Sequence, residues 1–463
     1  GTTTINGIVG GTTAIGAYSA TGRDLAINAN LRSSSSISAA FSRDITIGAA
    51  ATLTTGAGSA LNLTAAGNNV FGIGNLTING NLSVGTAGLT LISGQNGTRP
   101  SYTATAANLI RQGATFGTVN IRGFQDLTIN RDINSSNSIT LFTLRNLTLN
   151  AANTLTTGAA ASLDLQAAGG NTTAGVGNLN LNGTINVGTG ALTLRSGING
   201  TRPSYTATAA NFIRQGATFG SVDIQGFLDT TINRDINSSG TITIVSFRDL
   251  TLNAANTLTS GAASGLNLNA ANGQIASIGR LNLNGTLSGG TGALTLISGQ
   301  NGGRPTYTGS TTNLIRQGAT FGPINIQGFG NFIVNRVLNS NGSIVINNHT
   351  QITLQNDVTS TGSSISIQNN NAVVVAEGFS PTISTVNNTI NISNSATNGT
   401  PGGVTEGLTL SAGTGSITSN STFNGLALNI NSGTVNLTGI LGGTTALGNS
   451  TITSTAASRL TLP

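Results

Sequence analysis

Catalysis by this chain would have to rest on very few ionisable side chains. Charged residues make up 6% of the sequence, and Glu377 and Glu406 are its only glutamates. A glycosidase needs two carboxyl groups roughly 5–10 Å apart across the bond that it cleaves. If the chain forms coils, two residues 29 positions apart lie within one or two coils of each other. We interpret both glutamates as unrelated solvated residues, so glycan cleavage is the least favoured function.

The sequence offers no recognisable metal or cofactor site. Cysteine is absent and His349 is the only histidine, which excludes a designed zinc site. Neither the calcium-binding Gly-Gly-x-Gly-x-Asp nonapeptide nor a phosphate-binding loop ending in GK[ST] occurs. His349 occupies the position of Phe247 in the preceding copy of a long repeat. We therefore expect a surface or corner histidine, and no metal, cofactor or catalytic residue.

Arginine supplies all 18 basic residues, and several arginines recur at fixed positions. One set stands in a repeated Leu/Phe-Ile-Arg-Gln-Gly phrase, and another set precedes proline. Two interpretations remain open. Either these arginines hydrogen-bond to local carbonyl groups and hold a segment in place, or arginine and tyrosine form a contact ladder toward a neighbouring rod or an acidic glycan. The candidate contact residues are Arg99, Tyr102, Arg111, Arg202, Tyr205, Arg214, Arg304, Tyr307 and Arg316.

Charge and hydropathy restrict the partners. The net charge of +6 is spread along the chain, whereas a nucleic-acid-binding protein concentrates basic residues on one face. No run of about 18 apolar residues occurs, so no membrane span is expected. The chain begins without a basic and apolar leader, and we expect that any signal peptide has already been removed. The remaining partners are the chain itself, surface glycans or host cells.

A long internal repeat of 102–103 residues organises these positions. The phrase Arg-Pro-Ser/Thr-Tyr opens three of its copies. A long period built from strand-like phrases is typical of solenoids. We predict one continuous solenoid over 1–463, with repeats over 24–98 (partial), 99–201, 202–303 and 304–375 (partial), followed by diverged coils over 376–463.

A shorter unit of about 20 residues predicts the fold class. Residues 147–149, 154–156 and 162–165 alternate apolar with polar side chains between Asn-, Gly- and Ala-rich corners. Such alternation is typical of half-buried strands, and stacked coils would pair them in parallel about 4.8 Å apart. We therefore predict an all-β protein, a right-handed parallel β-helix (β-solenoid) of about 20–22 coils and on the order of 100 Å long.

One recurring segment departs from this pattern. Residues 93–117 do not alternate strictly, and the same phrase returns at 196–220 and 299–322. We expect a larger excursion from the solenoid, with a short helical turn, held on the coils by Tyr102 and Phe116. Phenylalanines at two repeat positions should stack in the core beneath it. They are Phe116, Phe219 and Phe321 at the first position, and Phe124, Phe227 and Phe329 at the second.

The sequence also resembles a known family in its repeat style. Residues 10–16 and 442–448 share a GGTTA-[IL]-G phrase, strands of the form [ND]-L-[TN]-[IL]-N recur, and Arg-Asp-[IL] openings such as residues 23–25 precede them. In these features the chain resembles filamentous-haemagglutinin-like exoproteins, bacterial surface proteins secreted through two-partner or autotransporter routes. The resemblance implies a right-handed parallel β-helix, secretion to the cell surface, and a role in adhesion, in biofilm or as a toxin stalk. The secretion domain, membrane anchor and toxic tip of that family are not found.

Three functions follow as expectations. The leading one is a non-enzymatic extracellular scaffold or stalk of a bacterial adhesin. The alternative is a subunit that polymerises end to end into an extracellular filament, because residues 436–448 echo residues 5–16. That echo equally fits a slice of a longer array. A glycan-cleaving enzyme would require a cluster of carboxylates.

Overall fold

The computed structural model describes residues 1–66, 73–94, 99–168, 177–197, 202–271, 278–299, 302–368, 372–393, 396–398, 406–456 and 459–460. These residues form strands and turns with almost no helix. The chain divides into two compact units, Gly1–Leu228 and Asp229–Pro463. Each unit is a right-handed parallel β-solenoid, and the two contain about 17 turns in all. The predicted fold class is confirmed, whereas continuity over 1–463 and the repeat boundaries stay predictions.

Each turn crosses three faces, which we number in the order in which the chain meets them. In the first unit, face one carries β1 (Thr2–Ile5), β3 (Asp24–Ile27), β6 (Ile45–Ile47), β9 (Leu76–Ile78), β12 (Tyr102–Thr105), β15 (Leu127–Asn130), β18 (Leu147–Leu149), β21 (Leu179–Leu181) and β24 (Tyr205–Thr208). Face two carries β4 (Leu31–Arg32), β7 (Thr52–Thr54), β10 (Asn81–Val84), β13 (Leu109–Arg111), β16 (Ile133–Asn134), β19 (Thr154–Thr156), β22 (Thr184–Val187) and β25 (Phe212–Arg214). Face three carries β2 (Tyr18–Gly22), β5 (Ile37–Phe41), β8 (Ala60–Thr64), β11 (Gly88–Ile92), β14 (Thr118–Phe124), β17 (Ile139–Thr143), β20 (Leu163–Gln166), β23 (Leu192–Arg195) and β26 (Val222–Phe227).

The second unit follows the same order. Its face one carries β27 (Thr230–Asn233), β30 (Leu250–Leu252), β33 (Leu281–Leu283), β36 (Tyr307–Gly309), β39 (Asn331–Val334), β42 (Gln351–Leu354), β45 (Ala372–Val375), β48 (Ala396–Asn398) and β51 (Thr422–Asn424). Face two carries β28 (Ile236–Asn237), β31 (Thr257–Thr259), β34 (Thr286–Gly289), β37 (Leu314–Arg316), β40 (Leu338–Ser340), β43 (Val358–Ser360), β46 (Thr382–Thr385), β49 (Gly407–Ser411), β52 (Ala427–Ser432) and β54 (Thr451–Ser454). Face three carries β29 (Ile242–Ser246), β32 (Leu266–Asn269), β35 (Leu294–Ile297), β38 (Ile324–Gln327), β41 (Ile344–Asn347), β44 (Ile365–Gln368), β47 (Ile390–Ser393), β50 (Ser416–Ser419), β53 (Thr434–Leu437) and β55 (Arg459–Leu460).

Because the strands pair in parallel and in register, identical or similar residues of successive turns lie directly above one another. Leu127 pairs with Leu147, and Leu147 pairs with Leu179 on the next turn. All three leucines are buried, while Thr128, between Leu127 and the buried Ile129, is half-exposed. The alternation seen in the sequence therefore separates a core column of aliphatic side chains from a polar surface, as predicted. Burial of each such leucine contributes about 1.5–3 kcal/mol relative to leaving it exposed.

The turns are longer than the uniform unit predicted from the sequence. The length of a turn can be read from hydrogen bonds between equivalent residues of successive turns on face one. Asp126 and Asn146 are 20 positions apart, whereas Asn146 and Asn178 are 32 positions apart. A turn that begins near Ser101 takes 25 residues to reach Asp126. Because turns of 25 and 32 residues occur beside turns of 20, the estimate of 20–22 coils was too high, and the chain makes about 17 turns.

The expected excursion at residues 93–117 is instead part of the solenoid. Within the described residues 99–117, β12 pairs with β15 on face one and β13 pairs with β10 on face two. A turn at residues 106–108 stands where a short helical turn was expected, and Asn108 closes it through reciprocal hydrogen bonds with Thr105. The strict alternation fails because β12 and β13 are short and flank this turn. Residues 95–98, 198–201 and 300–301 of the three phrases lie outside the described residues.

Candidate functional site

The predicted contact tyrosines lie in the core. Tyr102, Tyr205 and Tyr307 are 3%, 4% and 2% exposed. Each ring packs against the phenylalanine at the end of its own turn, with ring centroids 5.3–5.6 Å apart. Burial raises the pKa of the Tyr102 and Tyr307 hydroxyls. The tyrosines therefore cannot contact a neighbouring molecule, and the ladder predicted from the sequence is wrong for these three members.

The arginines of the recurring Ile-Arg-Gln-Gly phrase bond to local carbonyl groups. Arg111 Nε donates to Gly113 O at 2.8 Å. The equivalent bonds run from Arg214 Nε to Gly216 O at 2.6 Å and from Arg316 Nε to Gly318 O at 2.9 Å. The interpretation that these arginines hold their own segment in place is therefore confirmed for this set, and a contact role for them stays a prediction.

A second arginine, which was not among the predicted contact residues, joins the same cluster. The guanidinium carbons of Arg111 and Arg131 lie 6.0 and 5.7 Å from the centroid of the buried Phe116 ring. Burial, followed by repulsion from Arg111, lowers the pKa of Arg131. Arg131 also donates from Nε to Asp132 O, so it bonds the backbone of Asp132 and not its carboxylate. The ring thus holds two like charges by cation–π contact.

The same cluster in the second unit shows what the extra arginine does. In the second unit one face-two sheet ends at β37 and the next begins at β40, where Phe321 forms a single bridge to Ser340. Arg336 donates from Nη1 to Leu314 O on β37, and its guanidinium carbon lies 5.6 Å from the Phe321 ring centroid. Because a strand edge leaves carbonyl groups unpaired, this arginine supplies a donor to β37 on the side where β40 does not pair with it. The signal in the sequence was the recurrence of Arg131, Arg234 and Arg336.

The phenylalanine prediction is confirmed. All six rings are buried, and they lie under the arginines or against the tyrosines. Of the arginines that precede proline, Arg304 also bonds to the backbone of the solenoid, since its Nη1 donates to Asn348 O at 3.0 Å. Burial lowers the pKa of both Arg202 and Arg304. Arg99 Nε is buried with no hydrogen-bond partner among the described residues.

His349 is not the surface or corner residue that the sequence suggested. Its side chain is 1% exposed, whereas Phe247, at the same repeat position, is 37% exposed. Asn348 adopts a φ of 59°, and after this bend the side chain of His349 turns inward. The ring stacks on Phe329 and Phe332 at centroid distances of 6.0 and 5.5 Å. The positive φ had no counterpart in the earlier copies, so sequence alignment could not reveal it.

The two glutamates lie at the same corner of adjacent turns. Gly407 N donates to Phe379 O at 3.3 Å, which places residues 406–407 next to residues 377–379. Glu377 is exposed, but Glu406 is 1% exposed, and its Oε2 has no hydrogen-bond partner among the described residues. The expectation of two solvated residues is therefore wrong for Glu406. A general acid and its partner must both reach the sugar, and burial of one carboxyl opposes this.

Ion pairs between successive turns are a further feature that the sequence analysis missed. Arg145 donates from Nε to Asp126 Oδ1 at 2.8 Å and from Nη2 to Asp126 Oδ2 at 2.5 Å. The hydrogen bond from Arg145 is the main cause that lowers the pKa of Asp126. Such pairs join residues that lie 19 positions apart in sequence. A sequence pattern could have found them only with the turn length already known.

Comparisons with known proteins add no relative. The chain matches no protein-family model, no curated protein and no solved structure. The described residues contain no group of three or more His, Cys, Asp or Glu side chains placed to hold a metal ion. They also contain no helix long and apolar enough to cross a membrane. The resemblance to filamentous-haemagglutinin-like exoproteins therefore stays a prediction that rests on repeat style.

Proposed function

We propose that this chain is a non-enzymatic extracellular scaffold or stalk of a bacterial surface adhesin. The observation that carries this proposal is the use of the recurring charged residues inside the fold. Arg111 bonds to the carbonyl of its own segment, Arg145 to an aspartate one turn away, and Arg195 to Asp223 at 2.6 Å. A repeat that bonds its charges between turns is organised for structural support.

The mechanism is mechanical and belongs to each solenoid unit. Every described turn is joined to its neighbours by parallel backbone ladders on up to three faces and by columns of buried Leu, Ile and Val. Because each turn contacts mainly its neighbours, stability grows with the number of stacked turns. Backbone groups that are paired in ladders are also poorly accessible to proteases. These properties suit a support that holds a binding region away from a cell.

Cellular experiments test the proposal. Antibodies against the chain should label intact cells of the bacterium that produces it, and deletion of its gene should reduce attachment to surfaces and biofilm mass. Re-expression of the chain should restore both. Labelling confined to permeabilised cells, or a deletion without effect on attachment, would refute the proposal. Release of reducing ends from a polysaccharide, lost in a Glu406→Gln variant, would instead show an enzyme.

End-to-end polymerisation is the second candidate, and one structural observation favours it. The two segments that echo each other in sequence also share a backbone feature, since Gly10 and Gly442 adopt φ values of 73° and 71°. Val9 and Leu441 each form a single parallel bridge to a neighbouring turn. Electron microscopy of the purified chain over a dilution series tests this candidate. Filaments of uniform width support it, and separate particles at every concentration refute it.

A further inference from the structure

Three copies of the long repeat close one corner of face one with an ion pair. In the pair of Arg145 and Asp126, the aspartate Oδ1 also accepts a hydrogen bond from Asn146 N at 3.1 Å. The carboxylate is therefore held by both the side chain and the backbone of the next turn. The copies of this pair are Arg43 with Asp24, Arg145 with Asp126, and Arg248 with Asp229.

The fourth copy lacks this pair, and a groove lies in its place. Thr350 stands at the position of the arginine, and Asn331 at that of the aspartate. Gly330 replaces the bulkier Gln125 of an earlier copy, and a Cβ atom there would lie 2.7 Å from Arg304 O. The groove has a volume of about 590 Å³, which is within the range of small-molecule sites. Its lining includes Arg304, Thr306, Gly330, Asn331, Thr350 and Gln351.

The polar groups of this groove are held in fixed orientations. Thr353 Oγ1 donates to Asn331 Oδ1 at 3.1 Å and accepts from Gln351 Nε2 at 2.9 Å. This shared hydroxyl leaves Asn331 Nδ2 as a donor and Gln351 Oε1 as an acceptor, and neither atom has a partner among the described residues. The guanidinium of Arg304 is held by its bond to Asn348 O. Such preorganisation reduces the entropy cost of binding.

We propose that this groove binds an acidic saccharide. The lining supplies hydroxyl and amide groups that match sugar hydroxyls, together with one guanidinium for one carboxylate. No carboxylate and no large apolar side chain is among the lining residues, so the ligand is polar along its length and negatively charged. The inference rests on the proposed function, since it names the class of ligand that the adhesin would hold.

Titration calorimetry with trigalacturonate tests the groove, with the methyl ester of the same trisaccharide as the uncharged counterpart. The wild-type chain should bind the acid more tightly than the ester. The double variant Asn331→Asp/Thr350→Arg restores the ion pair of the other three copies and should fold, but it should bind at least tenfold more weakly. Arg304→Gln should remove the preference for the acid. Conversely, the triple variant Gln125→Gly/Asp126→Asn/Arg145→Thr should gain a second binding site.

Several outcomes would overturn the proposal. They are the absence of binding to trigalacturonate, equal affinity for acid and ester, and binding that the closed double variant retains. Failure of the proposed function gives a different pattern. If the purified chain binds the acid at this groove but gene deletion leaves attachment unchanged, saccharide binding at the groove is supported and the adhesin role is refuted. If the double variant Asn331→Asp/Thr350→Arg fully restores attachment and binds trigalacturonate as the wild type does, the adhesin role is supported and saccharide binding at the groove is refuted.

Discussion

His349 should stay neutral far below the pH at which a histidine ordinarily gains its second proton. Phe329 N donates to His349 Nδ1 at 3.2 Å, so Nδ1 must be the unprotonated nitrogen, and Nε2 then donates to Ile326 O at 3.1 Å. If Nδ1 were protonated, its N–H would face the N–H of Phe329 inside an aromatic stack, and neither group could accept the other's hydrogen bond. Desolvation by burial is the largest cause that lowers the pKa of His349, from 6.5 to about 4.

This shift couples folding to pH in one direction. Between pH 6.5 and about 4 the unfolded chain binds a proton at His349 and the folded chain does not. The fold is therefore more stable above pH 6.5 than at pH 4, and this additional stability is lost as pH falls from 6.5 to about 4. A shift from 6.5 to about 4 corresponds to about 3 kcal/mol at 1.36 kcal/mol for each pH unit. In a solenoid the loss should appear first as local opening of the turns around Phe329.

Nuclear magnetic resonance of the single histidine measures both quantities. Labelled with ¹⁵N at histidine, the chain should show one imidazole in the Nε2–H form, with a titration midpoint near pH 4. The protection factors of the amides of residues 324–349, which are exchange rates corrected for the pH dependence of an unfolded chain, should fall between pH 6.5 and 4. The variant His349→Gln should lose that dependence because its amide forms similar bonds without titrating. A midpoint near 6.5, or an Nδ1–H tautomer, would refute the reasoning.

Three further predictions concern stability. Gly328→Ala should cost about 2 kcal/mol or more, because φ is +83° and the added Cβ would lie 1.8 Å from Ser298 O. Gly16→Ala, with open space around the Cβ, should leave the urea midpoint unchanged, and equal effects would contradict the argument. Phe116→Ala should cost about 3–5 kcal/mol by calorimetry, because the ring is fully buried and contacts two guanidiniums; a cost within error would contradict the cation–π cluster. Tyr307→Phe should be neutral or stabilising by about 1 kcal/mol, since the buried hydroxyl has no partner among the described residues; clear destabilisation by urea would reveal one.

The fold was predictable because its pattern is local. Apolar and polar residues alternate along β18, and equivalent residues such as Leu147 and Leu179 recur on successive turns. Alternation sets which side chains face inward, and recurrence sets which strands pair. The number of turns was not predictable, because the alternating strands do not show how many residues each corner takes.

The candidate site was predictable only in part. The arginine at position 111 was recognised because it recurs in the sequence, and its bond to Gly113 O was one of the two interpretations. Its partner Arg131 was missed, because the cluster depends on a break in the face-two sheet after β13. The tyrosines were misplaced because their segment was interpreted as an excursion from the solenoid, whereas residues 102–105 form a strand in which Tyr102 and Ala104 face the core.

The sequence by itself determined an all-β solenoid, its core columns and the burial of the recurring phenylalanines, because these follow from periodicity along the chain. The tertiary structure alone decided the environments of single residues. One positive φ at Asn348 turns His349 into the core. The exchange of an arginine and an aspartate for Thr350 and Asn331 accompanies an open groove at one corner. Both outcomes depend on contacts between turns, which residues distant in sequence make only once the chain has coiled.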